Sequence, residues 1–209
     1  MKDYNQIINP YLEQLKNAGI KKIIAFSGGA EDKLENKVRE IVEQSMNELQ
    51  GLPLAILTGG TIFGLPKYAT EFAKKFNFPV IGVYPKRGEK YAIKDLDFAL
   101  EVEPRYSSSE WGDESEIFAK LADGVEIIGG GAGTMIEISH ILKMNDARLK
   151  NKKEPVYIAP VRFLEAKSAA DMAYQLILKS EQKIFFPEKE IIEDGVYAAQ
   201  FLANKLGLR

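Results

Sequence analysis

A short apolar run, Ile127-Ile128, gives way to Gly129-Gly130-Gly131-Ala132-Gly133 and then to Thr134-Met135-Ile136-Glu137. Four glycines in five residues end the apolar run and permit a tight reversal, because glycine accepts positive φ and brings the backbone close to a neighbour or ligand. The stretch therefore reads as a buried strand, a glycine-rich turn and the first turn of a helix. Glu137 follows Thr134 by three positions, about one helical turn further on. Backbone amides gathered in such a turn, with the positive end of the helix behind them, form an anion site. A phosphate held there would lie close to the Glu137 carboxyl.

Apolar runs and amphipathic stretches alternate along the whole chain. Strands are expected at Lys22–Phe26, Leu54–Leu57, Pro79–Tyr84, Phe98–Val102, Gly124–Ile128 and Val156–Ala159. Helices are expected at Tyr4–Ala18, Glu31–Leu49, Leu65–Phe76, Glu114–Ala122, from Gly133 through Leu149, Glu165–Leu178 and Gly195–Leu206. Such alternation predicts an α/β fold, a doubly wound parallel sheet covered by helices on both faces. The strands are short and almost wholly apolar, as expected when both faces are covered. At 209 residues the chain suits one domain, and no repeat or linker interrupts it.

A net charge of -2 argues against a dedicated nucleic-acid binder. The chain has no cysteine, so it has neither disulfides nor thiolate metal ligands. Its one histidine, His140, falls on the Glu137 helix and reads as a half-buried helical residue. The opening Met1-Lys2-Asp3-Tyr4-Asn5-Gln6 lacks the apolar core of a signal peptide. No apolar run approaches the ~18 residues that would cross a bilayer. A cytoplasmic protein without membrane partners, metal site or bound cofactor is expected. The basic cluster Arg148 to Lys153 reads as a solvated loop.

Two further strands end in glycines, at Ser27-Gly28-Gly29 and at Thr58-Gly59-Gly60-Thr61. In open α/β sheets ligands sit beyond the carboxyl ends of the strands, so three neighbouring glycine turns would share one edge. Thr61 and Thr134 would offer hydroxyl donors to phosphate oxygens. No Gly-Lys-Ser or Gly-Lys-Thr of a P-loop occurs, and no G-x-G-x-x-G opens the first helix. ATP hydrolysis and standard dinucleotide oxidoreduction are therefore disfavoured.

Gly130-Gly131-Ala132-Gly133-Thr134-Met135-Ile136-Glu137 resembles the GGxGTxxE signature of the LOG (Lonely Guy) family, many members of which carry a lysine decarboxylase label. Ala25-Phe26-Ser27-Gly28-Gly29, Leu57-Thr58-Gly59-Gly60-Thr61-Ile62-Phe63-Gly64-Leu65, Pro79 to Pro85 and Leu121-Ala122-Asp123-Gly124 resemble other family segments in order. The signature is shared with the wider Rossmann-like nucleotide-binding superfamily, including molybdenum-cofactor carrier proteins. The resemblance implies a Rossmann-like fold, usually a homodimer or higher homo-oligomer, and a nucleoside monophosphate or related phosphorylated ligand. In active members the reaction is hydrolysis of the N-glycosidic bond of a nucleoside 5′-monophosphate to base and ribose 5-phosphate. Carried over, Glu137 takes the catalytic role, while Ser27, Gly28, Gly29, Gly60, Thr61, Gly130, Gly131, Gly133 and Thr134 hold the ligand. Lysine decarboxylation is disfavoured, because no lysine stands in a pyridoxal-phosphate context.

The pattern departs from the family at two places. Gly129 stands where the family has proline. Glu114 stands where active members have an arginine, within the acidic run Asp113-Glu114-Ser115-Glu116. Arg105 is the nearest candidate catalytic replacement, or else a surface arginine. Asp113, Glu114 and Glu116 are acids favoured in a helix first turn, with a divalent-cation site as the sharper alternative. Trp111, the one tryptophan, is a candidate for stacking on a base, for a dimer contact or for capping the core. Three functions remain open at this level: a phosphoribohydrolase using Glu137, a non-catalytic nucleotide or pterin carrier, and an interaction module with a vestigial site.

Overall fold

A computed structural model describes residues 4–29, 34–105, 112–178 and 180–209. The chain runs α1 (Tyr4–Asn17), β1 (Lys22–Gly28), α2 (Glu35–Leu49), β2 (Leu54–Thr58), α3 (Gly64–Lys75), β3 (Val80–Pro85), β4 (Phe98–Val102) and α4 (Asp113–Leu121). It continues with β5 (Gly124–Ile128), α5 (Ala132–Lys150), β6 (Tyr157–Arg162), α6 (Ala169–Leu178), β7 (Ile191–Ile192) and α7 (Gly195–Lys205). The strands form one seven-stranded sheet in the order β4-β3-β2-β1-β5-β6-β7, with every neighbouring pair parallel. This is a Rossmann-like α/β fold. Among the described residues no helix is long and apolar enough to cross a membrane.

Each face of the sheet has its own core, because successive strand residues point to opposite sides. Ile23 and Ala25 of β1 join residues of α1, α4, α5 and α6 on one face. Ile24 and Phe26 join residues of α2, α3 and α7 on the other. Phe26 and Phe118 are fully buried, and burial of such a ring is worth about 1.5–3 kcal/mol.

The strand order carries the functional consequence. From β1 the chain steps through β2, β3 and β4 in one direction, then returns to place β5 on the free side of β1. The order therefore reverses between β1 and β5, which opens a crevice beyond their carboxyl ends. Register places Ser27 opposite Ile127 and Gly28 opposite Ile128, so the two glycine turns leave the sheet side by side.

Four local features differ from the expectation. β6 extends to Arg162 because Val161 pairs with both Ile128 and Ile191. The short β7 itself was not expected. A 3-10 helix, Glu181–Phe185, lies where no element was expected. α6 begins at Ala169 and not at Glu165, since Ser168 donates its amide and its hydroxyl to Asp171 Oδ2 at 2.8 and 2.9 Å. An acid three residues inside the helix that receives the preceding amide marks a helix start. The expected start of α2 at Glu31 lies outside the described residues.

Candidate functional site

A cavity of about 550 Å³ occupies the β1–β5 crevice, within the roughly 300–1,000 Å³ usual for small-molecule clefts. Gly28 and Gly29, the whole Ile128–Thr134 turn and Glu137 line it. Leu34, Val38, Leu65, Tyr68 and Phe163 form its apolar wall, and Ala166, Lys167 and Ser168 close the side after β6. The lining thus combines backbone-rich glycine turns with apolar side chains, two of which, Leu65 and Phe163, pack against Gly28 and Gly129.

The glycines of the turn divide by what they do. At Gly130, φ is +89° and a Cβ would meet Thr134 Oγ1 at 2.5 Å. At Gly129, φ is +62° and a Cβ would meet the Phe163 ring at 3.0 Å. A Cβ on Gly28 would meet the Ile128 carbonyl oxygen at 2.5 Å. These three are demanded by the protein's own packing. Gly131 and Gly133 are different, for a Cβ on either meets nothing within 4 Å and both line the cavity. No packing contact among the described residues requires either to be glycine.

The turn is also oriented. The Ala169 and Ala170 amides donate to the Gly130 and Gly129 carbonyls at 2.9 and 3.1 Å. Those carbonyls are therefore engaged by the start of α6. The amides of Ala132, Gly133 and Thr134 open α5 and have no acceptor further back in the helix. Together with the helix dipole they make the turn electropositive on the cavity side.

Glu137 sits one turn into α5. The residue is half-buried, but its carboxyl is the enclosed end, and burial pushes its pKa up to about 7. The buried Ser27 hydroxyl donates to Glu137 Oε2 and lowers the value, and the nearby charge of Glu114 raises it. Glu114 accepts from the Gly112 amide at 2.9 and 3.1 Å. Burial first, then its neighbour Asp113, push its own pKa upward against the pull of its own amide and that of Gly112.

The other sequence candidates are placed as follows. Ser27 reaches the site through Glu137. Gly60 and Thr61 lie on the same sheet edge but do not line the cavity. A Cβ on Gly60 would meet Gly82 and Tyr84 at 3.0 Å, and Thr61 bridges to Ala92. Arg105 does not line the cavity either, for its guanidinium is held by Asp113 Oδ1 at 3.1 Å and by Glu116. Those two acids, with Glu114, were the cation-site candidates. Among the described residues no group of three or more His, Asp or Glu side chains is arranged to hold a metal ion. Trp111 lies outside the described residues. His140 borders a shallow surface depression on α5 with Met135, Ile136, Ser139 and Lys143.

Sequence reasoning missed the loop after β6. Phe163, Lys167 and Ser168 line the cavity, and the signal for them was Ser168-Ala169-Ala170-Asp171. That pattern sets the helix start at Ala169 and leaves the preceding residues as a loop at the carboxyl edge.

No protein-family model matches the chain, and no curated protein matches it. Solved structures do. The molybdenum cofactor binding protein of the phototrophic bacterium Rippkaea orientalis is 20% identical, with a TM-score of 0.60 over 89% of this chain and 97% of that one. The structural-genomics target TM1055 gives 17% identity and a TM-score of 0.65 over 88% and 99%. The molybdenum cofactor carrier protein of Chlamydomonas reinhardtii gives 22% and 0.59 over 90% and 99%. At these identities the likeness establishes the fold.

Proposed function

We propose that the β1–β5 cavity binds a phosphorylated small molecule of the nucleotide class, and that Glu137 acts on it in hydrolysis of the N-glycosidic bond of a nucleoside 5′-monophosphate. The observation that carries this reading is the Glu137 carboxyl, bonded by Ser27 in the same cavity lining as Gly131 and Gly133 and about one helical turn beyond them. The turn amides receive the phosphate, and the apolar wall of Leu34, Leu65 and Phe163 receives the less polar part of the ligand. In the reaction the C1′–N bond breaks and its electron pair leaves on the base, which takes up a proton. Water bonds to C1′ and gives up a proton. A carboxyl with a pKa near the operating pH serves such transfers well, and as carboxylate it also steadies the cationic sugar.

A second reading, a carrier that holds a nucleotide or a pterin-type cofactor without chemistry, is favoured by one specific observation. Glu114 stands near Glu137 where the resemblance expects arginine, and the nearest arginine, Arg105, is already held by two acids. Two of the similar structures are described as molybdenum cofactor binding or carrier proteins, which accords with this reading.

Incubation with AMP, GMP, CMP and UMP, with chromatographic detection of free base and ribose 5-phosphate, separates the two. Release of base that disappears in Glu137→Gln supports hydrolysis. Release that persists in Glu137→Gln contradicts the assigned role. Tight binding of a monophosphate without release favours the carrier.

A further inference from the structure

We infer that Lys167, in the loop between β6 and α6, supplies the cation that pairs with the ligand's phosphate; among the described residues lining the cavity it is the one lysine or arginine. The inference rests on the phosphorylated-ligand reading above and adds the residue that completes it. The amide-rich turn carries only partial charge, and the acids Glu35 and Glu137 share the same cavity. A full positive charge nearby would offset them and strengthen the hold on a dianionic phosphate.

Three other described cations of the neighbouring elements are committed. Arg105 is held by Asp113 and Glu116. Arg162, at the end of β6, is held by Asp171 and Glu190. Lys37 of α2 pairs with Glu193 at 3.1 Å and Glu165 at 3.4 Å. Lys167 lines the cavity, and among the described residues it forms no ion pair.

The backbone around Lys167 is fixed at both ends. Upstream, the Leu164 amide donates to Glu193 Oε1 at 3.2 Å, and Glu165 reaches Lys37. Downstream, Ser168 is bonded to Asp171 through its amide and its hydroxyl. The next two amides, of Ala169 and Ala170, grip the carbonyls of Gly130 and Gly129. The same contacts that turn the glycine amides toward the cavity thus set the root of Lys167 beside them. Its long stem does the rest, carrying a compact ammonium with three donors.

Isothermal titration of inorganic phosphate, the four 5′-monophosphates and the matching nucleosides tests this on the full chain. For the monophosphate that binds wild type best, Lys167→Ala is expected to weaken affinity about tenfold or more, with the nucleoside unaffected. Lys167→Arg is expected to restore most of the loss, and the salt dependence of binding is expected to flatten in Lys167→Ala. Unchanged monophosphate affinity in Lys167→Ala would overturn the assignment to Lys167 alone, as would a loss confined to Arg105→Ala. A wild-type chain that binds nucleoside and monophosphate equally, and ignores inorganic phosphate, would overturn the phosphate reading together with it.

Discussion

The Ser27 hydroxyl at the end of β1 donates to the Glu137 carboxyl on α5, tying together two residues 110 positions apart in sequence. The bond favours the charged form of a carboxyl that burial otherwise keeps protonated. Ser27→Ala removes that help, so the Glu137 pKa should rise above its value of about 7. Titration of the Glu137 side-chain carboxyl by carbon NMR checks this. An unchanged or lower midpoint contradicts it.

Glycine substitutions should separate packing from ligand contact. Gly130→Ala places a methyl against Thr134 in a left-handed backbone, and should destabilise the fold by about 1–3 kcal/mol in denaturant unfolding. Gly133→Ala puts its methyl into open space within α5. It should raise stability by roughly 0.5–1 kcal/mol, the usual gain in a helix, while weakening binding of a nucleoside monophosphate. Loss of stability in both variants would mean that the turn is built for packing throughout.

A second buried carboxyl gives a pH signature independent of the site. Glu126, in the middle of β5, is fully buried and accepts from Ser45 Oγ at 2.7 Å, while its Oε2 has no partner among the described residues. Burial first pushes its pKa up to about 8, against the lowering bond from Ser45 and with Asp194 adding to the rise. The folded state therefore holds a proton that the unfolded chain releases above 4.5. This contribution is full below 4.5 and is lost as pH climbs through about 8. Glu126→Gln keeps an acceptor for Ser45 and removes the titration. Denaturant unfolding of Glu126→Gln against wild type at pH 5 and pH 9 should show the variant gaining about 1–3 kcal/mol relative to wild type at the higher pH. Parallel pH profiles would contradict the account.

Glu137 adds to the same trend over a narrower window. Its folded value of about 7 also lies above the ordinary 4.5, so its contribution is full below 4.5 and lost as pH rises through about 7. Ligand-free wild type should thus lose stability between pH 5 and pH 8, and Glu137→Gln should lose less. Equal losses would place the Glu137 carboxyl in ordinary solvent.

The α/β alternation was readable because strands covered on both faces are nearly continuous apolar runs, and Gly129–Gly133 marked the β5–α5 junction without ambiguity. The division of labour among those glycines was not readable. It depends on Phe163 and Thr134, one of them a partner more than thirty positions away along the chain. Gly60 and Thr61 illustrate the same limit, for their strand end is on the predicted edge while Gly82 and Tyr84 crowd Gly60. Glu126 was absorbed into an apolar strand, since nothing local shows that Ser45 waits across the α2 interface. Lys167 was hidden by a helix start placed four residues early, although Ser168 and Asp171 carried the correct signal.

The phosphate at the Gly129–Thr134 turn is the central claim, and thermal unfolding at pH 7 with matched concentrations of adenosine, AMP and inorganic phosphate tests it most directly. A ligand that binds only the folded state raises the midpoint in proportion to its affinity. The account predicts a clear rise with AMP, a smaller one with phosphate and little with adenosine, and loss of the AMP effect in Gly133→Ala. Equal shifts with adenosine and AMP, or an AMP shift unaffected by Gly133→Ala, would contradict it.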